Sequence, residues 1–402
     1  LDVDTYREQV LASVRPLAAI ELPLASAHGC VLAADVTAPW PLPSFDNSAM
    51  DGYAVRAADV RAACDAEPVR LRVVDDVPAG YRATESVGEG TAIRIMTGAP
   101  VPDGADAIVP VERTDAGVDE VLVHAPVDVG AYVRRAAEDV VAGEVVLRAG
   151  TTIGARQVAI LAAVGCGLVL VHPRPRVAVI STGSELVEPG TALRHGLISD
   201  SNSYLLVAAC QEAGADAYRV GPVVDDEAAV VAAVEDQLHR CDLIVTSGGV
   251  SMGAHDTVKA VLGQLGTVEF TKVAMNPGMP QGHGIVGQEQ VPIITLPGNP
   301  VSSYVSFEVF VRPAIATMRG QVDIDRRSVR ATCTAGFTSP AGKRQFARAR
   351  FLPSGEVQPV GQGQGSHVFG GLAAADALIV VGEDVTEVAA GDTVTVLDLR
   401  VG

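Results

Sequence analysis

Lysine is almost missing from this 402-residue chain: Lys259, Lys272 and Lys343 are the only three. Lysine and arginine together number 30 against 48 acidic residues, a formal charge of −18. That balance argues against nonspecific binding to nucleic acid or to anionic membranes. It still permits a small anionic ligand, because a local pocket or a bound cation overrides the global field. No Cys-x-x-Cys pair occurs among the cysteines at 30, 64, 166, 210, 241 and 333. A disulfide framework and a zinc site are therefore disfavoured, and free thiols in a reducing cytosol are expected. The eight histidines show no metal-ligand spacing either. No apolar run is long enough to span a bilayer; the longest, Val158 to Val171, is broken by Gly165 and Gly167 and reads as helix end, turn and strand. The visible N-terminus has no basic patch followed by an apolar stretch, so no signal peptide is expected. A Walker A pattern is lacking, since Gly342-Lys343 stands alone, and no Gly-x-Gly-x-x-Gly opens a helix after an apolar strand. P-loop and ordinary dinucleotide folds are thus unsupported. Internal repeats and low-complexity segments are absent as well.

What is present is a 48% hydrophobic chain, enough for globular folding in about two to four domains. Asp4 to Val14 reads as a helix capped by Asp4, with Tyr6, Val10 and Val14 on one face and Pro16 beyond its end. From about residue 44 to 133 short β segments alternate with turns, among them Val69–Val74, Thr91–Met96 and Val121–His124. Ala155–Val164 reads as helix, and Pro173 and Pro175 then mark a boundary. Beyond it, apolar strands at Val177–Ile180, Asp242–Val245 and Ile293–Leu296 alternate with helices at Ser203–Ala213 and Ala228–Leu238. That is the pattern of a parallel sheet covered on both faces. From about Ser328 the pattern is β again, with a hairpin expected around Pro353-Ser354-Gly355.

The chemistry-bearing stretches lie between these elements. Phe45-Asp46-Asn47-Ser48-Ala49-Met50-Asp51-Gly52-Tyr53-Ala54-Val55 fits neither helix nor strand period. It reads as a functional loop, or more plainly as a turn whose Asx and Ser side chains bond their own backbone. The apolar strands end in Thr182-Gly183, in Ser247-Gly248-Gly249 and in Pro297-Gly298-Asn299. Such loops offer N–H groups to an oxyanion, and ligands bind beyond strand C-termini in sheets of this type. Glu185, Asp225, Asp226 and Asp256 stand beside them. Together the four could hold Mg²⁺, which takes few carboxylates plus phosphate oxygens and water. Asp225-Asp226 reads equally well as a helix cap. Gly249-Val250-Ser251-Met252-Gly253 also fits a serine-hydrolase elbow, with His283 or His367 as base, but that reading leaves the acidic cluster and the Asp51 loop unexplained.

In combination these segments resemble the molybdopterin molybdenumtransferase family, which includes the gephyrin E-domain. The matching pieces are Asp46 to Ala54, Arg94-Ile95-Met96-Thr97-Gly98-Ala99-Pro100, Ser181-Thr182-Gly183-Ser184-Glu185-Leu186, Ser247 to Gly253 and Leu296 to Pro300. They occur in family order over essentially the whole chain. The resemblance implies a multidomain α/β and β protein, an elongated four-domain subunit. Residues 1–43 and 134–172 would form a discontinuous linker domain, with the N-terminal helix against the α/β domain. Residues 44–133 would form an inserted β domain. Residues 173–320 would form an α/β domain similar to the molybdopterin adenylyltransferases, and 321–402 a C-terminal β domain. It further implies a cytoplasmic homodimer that consumes adenylylated molybdopterin (molybdopterin-AMP) and molybdate with Mg²⁺ and releases AMP. A molybdopterin adenylyltransferase is a possible partner; adenylyltransferase activity or a non-catalytic dimeric scaffold are the competing readings.

Carried over residue by residue, Glu185, Asp225, Asp226 and Asp256 would serve Mg²⁺ or substrate positioning, and Lys272 would neutralise an anion. Thr182, Gly183, Ser247, Gly248, Gly249, Ser251, Pro297, Gly298 and Asn299 would hold substrate. Asp51, Thr97 and Asp139 would come from the partner subunit. Arg348 and Ser366 match positions linked to molybdate, although Arg348 could equally be a surface arginine. Three positions depart from the family pattern, and at two of them, Asn276 and Met279, lysines are common. Asparagine bonds an oxyanion but cannot neutralise it. Ala137 likewise replaces a frequent glycine before Glu138-Asp139.

Overall fold

The structure, a computed structural model, describes residues 1–249, 257–361 and 369–400. It divides into two compact units. One comprises Asp35–Arg148 and Ala155–Gly167; the other comprises Leu1–Ala34, Ala149–Gly154 and the chain from Leu168 onward.

The first unit is built on a five-stranded sheet in the order Ala107–Pro110, Gly52–Val55, Thr91–Ile95, Val69–Val77, Glu120–Val123. The strand Gly52–Val55 corrects the reading of Phe45 to Val55 as a stretch without strand character. Tyr53 and Val55 face one apolar cluster with Leu71, Val109 and Val121, while Ala54 faces a second with Ile93 and Ile108. A strand buried on both faces shows no alternation, which is why its period was invisible. Gly52 is needed there, because a Cβ would stand 2.0 Å from the Val109 carbonyl oxygen. The helix Ala155–Ala163 closes a smaller core of Ala38, Val140 and Val164, with the Trp40 indole donating to Ala163 O at 3.3 Å.

The second unit contains a six-stranded sheet in the order Asp216–Val223, Arg176–Thr182, Leu243–Ser247, Val291–Leu296, Pro280–Val286, Glu269–Lys272. The first four are parallel; each of the last two pairs antiparallel with the strand before it, and these two were not anticipated. Alternate residues of the central strands face opposite ways. Val177, Val179 and Val245 join a core with Tyr6, Leu206 and Phe310, and Ala178, Ile180 and Ile244 join one with Val230 and Leu262. Helices Asn202–Glu212 and Arg312–Met318 cover the first face, and Glu227–Glu235 and Thr257–Leu265 the second.

The N-terminal helix is Val3–Ala12, and its cap is Asp2, which accepts from Thr5 N at 2.8 Å. Asp4, expected to cap, instead pairs with both Arg344 nitrogens at 2.7 and 2.9 Å. The C-terminal residues form a second sheet in the order Met275–Asn276, Arg344–Phe351, Ala377–Val381, Thr393–Asp398, Ser328–Thr332, with the expected hairpin closed by Val357–Pro359. Phe346 and Leu378 place this sheet on the first α/β core. A buried carboxylate, Glu308, adds a polar element there: Arg326 donates to it at 2.7 and 3.1 Å, and Arg312 lies 3.1 Å away. No helix among the described residues is long and apolar enough to cross a membrane.

Candidate active site

The sheet order reverses at the strand Arg176–Thr182. The next strand of this sheet in sequence, Asp216–Val223, lies on one side and Leu243–Ser247 on the other. A crevice must open beyond the carboxyl ends at such a reversal. A cavity of about 540 Å³ lies there. Thr182, Gly183, Glu185, Asp225, Ser247, Gly248, Gly249, Pro297, Gly298 and Asn299 all line it. The three strand-end loops, read separately from sequence, thus form one wall.

Close backbone approach explains the glycines. Gly248 has φ +97°, and a Cβ on it would stand 2.6 Å from the Thr182 carbonyl oxygen and 3.0 Å from the Thr182 hydroxyl. On Gly249 a Cβ would meet Val258 at 2.2 Å. The α-carbon of Gly248 lies 3.7 Å from where a Cβ of Gly298 would be. Asn202, the first residue of its helix, ties the loops together: its amide donates to Ser247 Oγ and to Gly298 O, both at 2.7 Å. The carbonyl partner fixes the amide's orientation, since a carbonyl can only accept. Asn202 Oδ1 and Thr182 Oγ1 are shielded from solvent and have no hydrogen-bond partner among the described residues.

The wall is acidic. Glu185 and Asp225 line it, and so does Asp200, a buried carboxylate that accepts from Ser181 Oγ at 3.1 Å, Ser203 N at 3.1 Å and Ser203 Oγ at 2.5 Å. No lysine or arginine stands among the described lining residues. Asp226 is not part of the lining. It caps the helix Glu227–Glu235, accepting from Ala229 N at 3.0 Å. Among the described residues, no three acidic, histidine or cysteine side chains group as a metal site. Asp200 and Asn202 were missed by sequence reasoning. The run Ser199-Asp200-Ser201-Asn202 before an apolar helix was the available signal, and it reads as capping chemistry alone.

Other expected site residues lie elsewhere. Lys272 ends an edge strand and lines a neighbouring concavity with Lys259 and Phe270; Pro280 lines both. Asn276 pairs with Gln345, in the C-terminal sheet. Arg348 is not a surface arginine: it is 1% exposed on the strand Arg344–Phe351, and burial lowers its pKa. Ser251, Asp256, Ser366 and His367 lie outside the described residues. His283 packs edge-on against Tyr6, ring centroids 5.1 Å apart, and does not line the cavity.

In the first unit, Asp51 accepts from Thr97 N at 2.7 Å and Thr97 Oγ1 at 2.8 Å; these two bonds, the backbone one first, depress its pKa. Asp139 is on a segment held by its own N–H to Leu42 O, at 3.0 Å. Asp46 bridges the two regions, accepting from Ala136 N at 2.8 Å and Arg135 at 2.6 Å. The turn chemistry expected of this run is also real, since Ser48 Oγ donates to Met50 O at 2.5 Å.

A polar cavity at the reversal point of a parallel α/β sheet, walled by glycine loops and carboxylates, lies where sheets of this class bind their ligands. Three family models match the chain: the MoeA N-terminal region (domain I and II) over residues 1–165, a probable molybdopterin binding domain over 178–317, and the MoeA C-terminal region (domain IV) over 330–399. Molybdopterin molybdenumtransferase 2 of Mycobacterium tuberculosis is 48% identical over 99% of both chains. The molybdopterin molybdenumtransferase of Haemophilus influenzae is 35% identical over 98% of both. The crystal structure of the molybdopterin biosynthesis MoeA protein of Pyrococcus horikoshii superposes over 99% of both chains with a TM-score of 0.83 at 31% identity. The chain belongs to the molybdopterin molybdenumtransferase (MoeA) family of molybdenum cofactor biosynthesis.

Proposed function

We propose that this enzyme inserts molybdenum into molybdopterin, taking adenylylated molybdopterin and molybdate as substrates and releasing AMP. The observation that carries the reading is the single cavity formed where three strand-end loops meet. The unpartnered Thr182 hydroxyl suits a phosphate-bearing ligand. Unpartnered Asn202 Oδ1 can only accept, which suits a ligand N–H.

An acidic wall without a described cation repels a diphosphate unless a divalent cation lies between them. Mg²⁺ fits that requirement, because it binds through one or two carboxylates plus phosphate oxygens. Glu185 and Asp225 are the described residues that would hold it, and when bound it would supply charge neutralisation on the bridging phosphates. The chain's own residues do the rest. Asn202 holds the loops at fixed separation, and Gly248 and Gly249 let them pack against Thr182 and Val258. Lys272, at the adjoining concavity, attracts the second anion.

We assign Asp51, Thr97 and Asp139, all exposed, a contribution from a second subunit; Asp51 is held ready as an acceptor by Thr97 N and Thr97 Oγ1. Six cysteines, none in a disulfide, suit a reducing cytoplasm. A molybdopterin adenylyltransferase would be the natural supplier of the substrate. The test is AMP release from adenylylated molybdopterin with and without molybdate: stimulation supports transfer of molybdenum. AMP release that molybdate does not stimulate would count against it, and adenylylation of free molybdopterin by ATP would point to the adenylyltransferase reading instead. For the shared site, mixing Asp51→Ala and Glu185→Ala protein should restore activity that neither variant has alone.

A further inference from the structure

We infer that Arg219 is a positioning residue for this site, clamping two of the segments that carry its acidic wall, those of Glu185 and Asp200; the inference rests on the functional reading above. Glu185 and Leu186 line the cavity on one segment, and Ile198 and Ser199 line it on another. Those segments pair through a two-rung parallel ladder, Leu186↔Ile198 and Val187↔Ser199, with Ile198 N donating to Glu185 O at 2.9 Å. So short a ladder, with no further strand beside it, has little stability of its own.

Arg219 grips the residue immediately after each strand of the ladder, Glu188 and Asp200. One terminal nitrogen donates to Glu188 Oε1 at 2.8 Å and lies 3.4 Å from Asp200 Oδ2. Its Nε donates to Ser203 Oγ at 2.7 Å, and that hydroxyl donates to Asp200 at 2.5 Å. The guanidinium lies over the Tyr204 ring, 3.8 Å from its centre, and the Tyr204 hydroxyl donates to Glu188 at 3.0 Å. The Asp200 side chain is wholly shielded from solvent, and Arg219 is the cation paired with it. The Glu188 pair alone is half-exposed and would be worth little. A planar fork stacked on an aromatic ring and shared between two segments is different, because it fixes geometry. The arginine itself is absent from the cavity lining.

The test compares wild type, Arg219→Met and Arg219→Lys by hydrogen exchange and by calorimetric titration of AMP at graded Mg²⁺. Arg219→Met should speed amide exchange in 184–188 and 198–203 while core strands keep their protection. It should also raise the half-saturating Mg²⁺ for AMP by about tenfold or more, the scale of losing hydrogen bonds to charged groups. Arg219→Lys, which keeps the charge but not the fork, should fall between. Unchanged exchange in both segments overturns the clamp. Faster exchange with unchanged Mg²⁺ dependence overturns the positioning role and leaves a purely structural one. Wild-type protein that binds no AMP at any Mg²⁺ level overturns the functional reading, a result distinct from either.

Discussion

Replacing Gly248 with alanine tests whether the cavity wall depends on backbone meeting backbone. At φ +97° an L-residue is strained by about 1–2 kcal/mol. The added methyl would also lie 2.6 Å from the Thr182 carbonyl oxygen, a contact with main chain that cannot swing aside. Overpacking of this kind costs about 1–3 kcal/mol. Gly190 provides the control: its φ is +92°, but a Cβ there meets nothing within 4 Å. Gly190→Ala should therefore show the conformational cost alone, and Gly248→Ala should exceed it by about 1–3 kcal/mol. Urea unfolding followed by far-ultraviolet circular dichroism gives the difference. If the loop yields instead, the penalty moves from stability to the site, and AMP affinity measured by calorimetry falls. Equal stability of the two variants together with wild-type AMP binding by Gly248→Ala would refute the reasoning.

Two further outcomes follow from buried polar groups. Glu308→Gln leaves two buried guanidinium groups without their shared carboxylate and should cost about 3–5 kcal/mol in chemical denaturation. Burial depresses the pKa of His283, so the folded state binds fewer protons there than the unfolded state. Stability contributed by neutral His283 is present above the ordinary histidine pKa and is lost as pH falls below it toward the folded-state value. His283→Phe should flatten that part of the stability–pH profile.

The α/β half was readable because its central strands are continuous apolar runs ending in glycine loops, and sheet topology then sends those ends to one place. The Gly52–Val55 strand was not, because burial on both faces erases the alternation that marks a strand. The antiparallel pair Glu269–Lys272 and Pro280–Val286 was hidden by Pro280, Gly282 and Gly284, residues that usually end strands. Here Gly282 and Gly284 are filled by neighbours: a Cβ would stand 2.3 Å from Thr295 Oγ1 and 2.4 Å from Thr267 O respectively. Within the site, glycine and acid positions were visible as motif residues. The division of labour between Asp225 and Asp226 was not, since adjacent aspartates before a helix look alike until one is seen capping it. Asp200 and Arg219 escaped notice because their roles depend on partners 16 to 31 residues away.

Glu185 is where the functional account is most exposed. Single-turnover AMP release from adenylylated molybdopterin, followed with molybdate present across a Mg²⁺ titration, compares wild type with Glu185→Gln. The account predicts Mg²⁺-dependent release by wild type and a loss of about tenfold or more in the variant, with its Mg²⁺ requirement raised. Release by Glu185→Gln at the wild-type rate and the wild-type Mg²⁺ dependence would contradict it.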